Sequence, residues 1–151
     1  MLKNVMIIIL MVTSTAQLWA QTYEYKIVTS IESVVPMGVG RSRILSSDEE
    51  KNFKDYTTFR TEDNKKQNKS KRSESKVEEF QETKILNFYS ATGINFQNIA
   101  SNDALISSKV NNLIEEGWDL AFVTSAVESD AGKDDGDGIF ITRFIFRRLK
   151  S

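Results

Sequence analysis

The sequence predicts an α+β fold in which one main amphipathic helix packs on one face of a small antiparallel sheet. Three patterns support this prediction. Residues 23–29 alternate in polarity, an apolar helical stripe ends at Gly117 and leads into a strand, and a second aromatic strand spans 139–147. Alternating strands are typical of a sheet with one covered face. A long and partly mobile insertion, 34–100, separates the first strand from the helix.

The first twenty residues have the features of a secretory signal peptide. Lys3 supplies a positive charge, residues 5–12 form an apolar run, and a polar stretch leads to Ala20. A retained anchor helix is the alternative, but the run is shorter than the about 20 residues that cross a bilayer. We therefore expect cleavage after Ala20 and a single exported domain, 21–151, periplasmic or secreted, without a transmembrane segment.

The composition excludes several classes of active site. The chain contains no histidine and no cysteine, so a Ser-His-Asp triad, a Cys-His pair and a histidine-ligated zinc site are impossible. Its 20 basic and 21 acidic residues nearly balance, which gives no general basic character suited to nucleic acid. We expect no cofactor and no specific nucleic-acid partner.

The insertion begins with turn signals and contains two candidate strands. The only proline and two glycines lie in 34–40 and mark a change of direction. Residues 41–45 are typical of a short strand, and 55–61 have the β-branched and aromatic content of another. Residues 62–76 contain no apolar side chain, so we interpret them as a mobile loop, with an electrostatic contact to an anionic surface as the alternative.

The end of the insertion is ambiguous between helix and strand. For 77–89 we predict a short helical start followed by a strand from about Lys84 to Tyr89. Residues 93–99 indicate a packed turn with Ile94, Phe96 and Ile99 pointing inward. Asn95 and Asn98 would cap neighbouring backbone groups.

The main helix is predicted to begin near Ala104, after three residues that commonly cap helices, namely Ser101, Asn102 and Asp103. Its apolar stripe consists of Ile106, Val110, Leu113 and Ile114. Gly117 would adopt the left-handed conformation that ends the helix. We expect Gly117→Val to unfold the domain.

The two closing strands are predicted to pair beside the helix. Trp118, Leu120 and Phe122 would share the face that the helix covers, with Trp118 as a core anchor. In the last strand Phe140, Phe144 and Phe146 lie on one side, which we expect to be buried. Ile139, Ile141 and Ile145 alternate with Arg143 and Arg147 on the other, partly covered side.

Two sets of residues are candidate binding sites. Paired arginines can hold a carboxylate or a phosphate, and Arg41, Arg43, Arg143 and Arg147 form the candidate ligand-binding set. A solvated strand face is the alternative. Asp130, Asp134, Asp135 and Asp137 form a candidate calcium loop in 125–138, although their spacing differs from that of an EF-hand. A flexible turn would use the same residues.

Three short motifs resemble a family of small uncharacterised bacterial domains with the signature "EYKVV … EGWEL … FKR". They are residues 23–28 (YEYKIV), 116–120 (EGWDL) and 144–148 (FIFRR). The resemblance implies a compact unit of a helix on an antiparallel sheet and no established activity. The chain also looks like an exported protein of the Bacteroidetes type.

Two main hypotheses of function follow. The first is a non-enzymatic exported module that binds a protein partner, an envelope component or a small ligand. The second is a hydrolase or lyase that uses carboxylates, with Glu115, Glu116 and Asp119 as the available acids beside Trp118. Calcium-dependent ordering of 125–138 is a third and weaker hypothesis. The oligomeric state stays open, because exposed edge strands can pair between chains.

Overall fold

The computed structural model describes residues 22–35, 42–63, 66–128 and 138–150. It confirms the α+β fold, with an antiparallel five-stranded sheet in the order β3-β2-β1-β7-β6 and one main helix. The predicted signal peptide lies outside the described residues. The elements are β1 (Tyr23–Ser33), β2 (Arg43–Ser46), a 3-10 turn (Phe53–Tyr56), β3 (Gln81–Lys84), β4 (Tyr89–Ser90), β5 (Gly93–Ile94), α1 (Phe96–Glu115), β6 (Asp119–Val127) and β7 (Ile139–Leu149).

The centre of the sheet is the antiparallel pair of β1 and β7. Their register runs from Tyr23 opposite Leu149 to Ser33 opposite Ile139, so both 11-residue strands pair along their whole length. Residues directly opposite each other point to the same side of an antiparallel sheet. This register therefore assigns every side chain of the two strands to one of two faces.

The described part of the insertion completes the sheet. β2 pairs with β1, and β3 pairs with β2. The strand predicted over 55–61 is wrong, because the 3-10 turn occupies its start, where the Asn52 side chain accepts a hydrogen bond from the Lys54 amide. Residues 66–76 contain no helix or strand. The Asn68 side chain joins this segment to the backbone carbonyls of Asp55 and Thr57.

The prediction for 77–89 is also wrong in its boundaries. There is no helix at 77–80, and the strand is β3, which ends where strand was predicted to begin. The chain then leaves the sheet, because Ile85 turns into the core and the backbone of Leu86 binds the Asn102 side chain. The Asn102 side chain thus provides the hydrogen bonds that the Leu86 backbone would make to a neighbouring strand.

Helix α1 begins earlier than predicted. Its N-cap is Asn95, whose side chain accepts hydrogen bonds from the amides of Gln97 and Asn98. Capping by Asn95 is therefore confirmed. The predicted cap Asn102 is instead a fully buried residue inside the helix. Ile94 and Phe96 are exposed, so the prediction that they point inward is wrong.

The helix ends as predicted. Gly117 has a positive φ of 86°, the left-handed conformation that glycine adopts without a steric penalty. The amide of Trp118 donates to the Leu113 carbonyl, and both side chains are buried. Trp118 is therefore confirmed as a core anchor.

The core lies between α1 and one face of the sheet, which we call the inner face. On this side β1 contributes Lys26, Val28, Ser30 and Glu32, whereas β7 contributes the buried Phe146 and the partly buried Phe144. Of the predicted helical stripe, Leu113 is buried, and Ile106 and Val110 pack against the core. Ile114 is exposed, so it does not belong to the packed stripe.

A β-bulge corrects the predicted geometry of β6. Leu120 pairs with Phe146, but Phe122 pairs with Ile145, with a register shift between them. A bulge adds one residue to one strand and so reverses the alternation beyond it. Leu120 therefore lies on the inner face and Phe122 on the opposite face. The prediction that they share a face is wrong.

Candidate functional site

The side of the sheet opposite α1 is the first candidate site, and we call it the open face. Its middle row joins three strands, with Ile27 opposite Ile145 and Ile145 opposite Phe122. Phe122 is 61% exposed and Ile27 is 51% exposed. Contiguous exposed apolar side chains of this size commonly mark an interaction surface. The same face carries, in further rows, Tyr25, Thr29, Ile31, Arg43, Leu45, Thr124, Ile141, Arg143 and Arg147.

The open face continues toward the insertion. A shallow depression of about 430 Å³ is lined by Ile27, Leu45, Val77 and Phe80. Phe80 is more than half exposed. Tyr25, at 62% exposure, lies next to Ile27 on the open face of β1. Aromatic rings with one exposed side are enriched in protein interfaces, because they bury a large area at a small entropic cost.

The three predicted arginines that the structure describes share the open face but lie at separate positions on it. Arg43 donates to the Glu82 carboxylate at 2.6 Å and to the Ser42 carbonyl at 2.7 Å. The Arg147 guanidinium lies 4.8 Å from the centre of the Tyr23 ring. Arg143 is exposed, and it is separated from Arg147 by the row that contains Ile145.

The predicted ligand-binding set stays a prediction, because Arg41 lies outside the described residues. The three described arginines contribute positive charge at separate points around an apolar row. The calcium candidates Asp130, Asp134, Asp135 and Asp137 lie outside the described residues as well. Within the described ranges, no three Asp or Glu residues are grouped in a way that could hold a metal ion.

A polar cleft on the inner side is the second candidate site. It has a volume of about 390 Å³ and lies between α1 and the strands β2 and β3. Lys26 donates to Asp48 at 2.6 Å, and Lys109 donates to Gln81 at 2.9 Å. Ligand pockets have volumes of roughly 300 to 1,000 Å³, but they are usually lined by apolar side chains. This cleft has the size of a ligand site and a more polar lining.

Charge compensation is the main electrostatic feature of the cleft. The hydrogen bond and the charge of Lys26 hold the pKa of the Asp48 carboxyl below its usual range. Beside them, Lys26 and Arg148 contact the Trp118 ring, at 4.9 and 4.3 Å from its centre. Arg148 also pairs with Glu24. These contacts allow charged side chains of the inner face to lie against the core.

The three acids of the hydrolase hypothesis do not form one site. Asp119 lies opposite Arg147 and therefore on the open face. Glu116 accepts a hydrogen bond from Asn112 and lines the cleft on the other side of the sheet. Glu115 is an exposed residue at the end of α1. General acid–base catalysis requires groups within hydrogen-bonding reach of one substrate, and the sheet separates Asp119 from Glu116.

Comparison of the chain with protein-family models, with curated proteins and with solved structures finds no match. Among the described residues, no helix combines the length and the apolar character needed to cross a membrane.

Sequence reasoning missed the orientation of β1. The alternation of Tyr23, Tyr25 and Ile27 with Glu24 and Lys26 predicts that the apolar side is covered. Instead, the side with Glu24 and Lys26 faces α1. The orientation of β1 follows from its register with β7, because Lys26 lies opposite Phe146 and both point to the same face. No pattern in the sequence indicates that register.

Proposed function

We propose that this chain is an exported, non-enzymatic binding module that docks a protein partner on the open face. The observation that carries the proposal is that the more apolar side of β1, with Tyr25 and Ile27, is the side that α1 does not cover. Fully burying one large apolar side chain stabilises a protein by about 1.5–3 kcal/mol, and the exposed side chains of the open face do not provide this free energy. A partner that covers them regains part of this free energy.

The charges of the open face define the chemistry of the partner. Arg143 and Arg147 lie on either side of the row that contains Ile145, and Lys84 is opposite Arg43. Asp119 and Glu82 lie at the two edges of the sheet, so positive charge predominates on this face. A complementary protein surface therefore has an apolar centre with carboxylates around it.

Photo-crosslinking tests this proposal directly. A benzophenone amino acid is placed at Tyr25 in cells that produce the protein, and the matched control carries it at Phe96, which is exposed on α1. We expect a discrete protein adduct at position 25 and none at position 96. Adding Ile27→Asp should remove the adduct, and the purified partner should lose affinity by about tenfold or more.

Two results would overturn the proposal. One is an equal yield of the same adduct at positions 25 and 96. The other is binding of the purified partner that is unchanged by Ile27→Asp in a folded variant. An adduct that proves to be a second copy of this chain also counts against a separate protein partner.

The expected export and the family resemblance form part of the same proposal. Export is supported by the apolar run 5–12 and by Ala20. Relationship to the small bacterial domains is supported by the order of strand, helix, Gly117, Trp118 and strand. Intact mass of the protein from culture fractions tests export, since cleavage after Ala20 gives a defined mass.

Binding of a small polar ligand in the cleft is the second candidate function. The observation that favours it is the volume of about 390 Å³ beside Lys26, Asp48 and Lys109. A panel of sugars, amino acids and organic phosphates is screened for a rise in melting temperature. A true ligand should lose its effect in Lys109→Ala and keep it in Lys84→Ala, on the open face. Equal loss in both variants would contradict binding in the cleft.

A further inference from the structure

The edge strand β6 has the composition of an interior strand. All nine of its residues are exposed. Leu120, Val123 and Val127 lie on the inner face and Phe122 on the open face, so apolar side chains project from both sides. Strands that are apolar on both faces are typical of the middle of a sheet. Within the described ranges, β6 has β7 as its only neighbour in the sheet.

The two edges of the sheet differ in how they are protected from pairing. β3 has only four residues and carries Glu82 and Lys84. Short length and charged side chains are common means of blocking an edge. β6 contains no lysine, arginine or proline, and its single charge is Asp119 at the start. Its bulge lies between Leu120 and Phe122, which leaves residues 122–127 with regular pairing.

The helix leaves space beside β6. The buried core joins Leu113 of α1 to Val28, Ile44 and Phe146, which belong to β1, β2 and β7. On the inner face of β6, Val127 is exposed. Among the residues that the structure describes, no helix therefore lies where a further strand would pair with β6.

We propose that β6 pairs antiparallel with β6 of a second copy of this chain, about a two-fold axis at Thr124. This axis places Thr124 opposite Thr124 of the second copy, Phe122 opposite its Ala126 and Val123 opposite its Ser125. Large side chains then meet small ones, and no charged residue lies in the paired stretch 122–126. Such a self-complementary contact is the rule for two-fold homodimers.

A second copy fits this edge better than an unrelated peptide because the match arises from the strand itself. The unpaired backbone groups of 122–126 would bind their own counterparts, and two threonines opposite each other are a favourable cross-strand pair. The product is one ten-stranded sheet with both helices on the same side. The proposal does not depend on a protein partner at the open face.

Sedimentation velocity of the purified chain over a wide range of concentration is the primary test. We expect a reversible equilibrium of monomer and dimer. Thr124→Lys places two ammonium groups opposite each other and should raise the dissociation constant by about tenfold or more. The matched control Thr83→Lys, at the edge strand β3, should leave it unchanged.

Cysteine cross-linking provides a second and independent readout. The chain has no cysteine, so Thr124→Cys introduces a unique thiol. Opposite residues of an antiparallel pair have Cα atoms about 4.5–5.5 Å apart, which suits a disulfide. We expect mild oxidation to link Thr124→Cys into a dimer quantitatively, and Thr83→Cys only slightly.

Three outcomes would overturn the proposal. They are a monomer at every concentration, equal cross-linking at positions 124 and 83, and a dimer abolished by Ile27→Asp but not by Thr124→Lys. The last outcome would place the contact between copies on the open face. The partner proposal is tested by photo-crosslinking at position 25 and by Ile27→Asp, whereas the dimer proposal is tested by sedimentation and by Thr124→Lys. Failure of one proposal is therefore distinguishable from failure of the other.

Discussion

The two faces of β1 are covered in a way that is opposite to their composition. Its inner face carries Lys26, Ser30 and Glu32 beside Val28, whereas its open face carries Tyr25 and Ile27. On this strand the helix covers the more polar side, and on β7 it covers the side with the buried Phe146. Ion pairs and cation–π contacts compensate the inner charges, and the apolar side chains of the open face are left in solvent. Which face the helix covers therefore depends on the apolar side chains of several strands together, and not on the alternation in β1 alone.

The largest difference in stability between the two faces is expected when one phenylalanine ring is removed from each of them. Phe146→Ala removes a fully buried ring from the inner face and should cost about 3–5 kcal/mol of unfolding free energy. Phe122→Ala on the open face should cost about 1 kcal/mol or less. Urea denaturation measures both.

If Phe146→Ala does not fold, Phe146→Leu serves in its place, with a cost of about 1.5 kcal/mol. Equal costs at positions 146 and 122 would mean that the open face contributes to the core of the isolated chain. The division into a structural face and a binding face would then be wrong.

An intermediate effect is expected at the turn that connects the inner-face helix to β6. A Cβ atom at Gly117 would meet nothing within 4 Å, so the cost of substitution comes from the positive φ alone. We expect about 1–2 kcal/mol for Gly117→Ala and more for the β-branched Gly117→Val.

Gly117→Asn is the matched control, since asparagine tolerates the left-handed conformation. It should lose clearly less stability than Gly117→Ala in thermal or urea unfolding. Because the space around position 117 is open, we now expect Gly117→Val to destabilise the domain strongly through backbone strain, and not to unfold it through a steric clash. Gly117→Val with the stability of the native chain would contradict it.

The smallest effect on stability concerns Glu32, an inner-face carboxyl whose burial carries a cost. Burial raises the pKa of Glu32, a hydrogen bond from Asn102 lowers it in part, and nearby Asp103 raises it further. A carboxyl with a raised pKa in the folded state favours folding at low pH and loses that contribution as the pH rises through the folded pKa. Glu32→Gln keeps an acceptor for Asn102 and removes the charge.

We therefore expect Glu32→Gln to gain stability relative to the native chain as the pH rises from acidic to neutral. Unfolding free energies measured across this range give the difference between the two chains. A difference that shrinks with rising pH would contradict the burial of Glu32.

The sequence alone predicts the elements that depend on local chemistry. The roles of Gly117 and Trp118 and the burial of Phe146 follow from turn geometry and alternation, and the structure confirms them. Phe144 on the same side of β7 is partly buried, but Phe140 is exposed, so the prediction that this whole side is buried is wrong. The start of α1 was predicted eight residues late because Asn102 has the chemistry of a cap, yet it binds the backbone of Leu86. That use depends on a contact between distant parts of the chain.

The candidate sites were less predictable than the fold. Arg43, Arg143 and Arg147 lie on one face as alternation suggests, but their separation depends on which strands pair. The bulge in β6 moved Phe122 to the open face, and an inserted residue leaves no mark in a run of apolar residues. The cleft at Lys26 and Asp48 joins β1 to the segment that follows β2, and the sequence does not specify this contact.

The central position of β1 and β7 has a consequence for when the molecule can fold. These strands are the first and the last of the described chain, and Lys26 lies beside Phe146. The chain can form α1 and its turn at Gly117 early, but the core closes only when β7 arrives. Structures dominated by such distant contacts fold slowly. The core therefore stays incomplete until β7 has been synthesised, however early the helix forms.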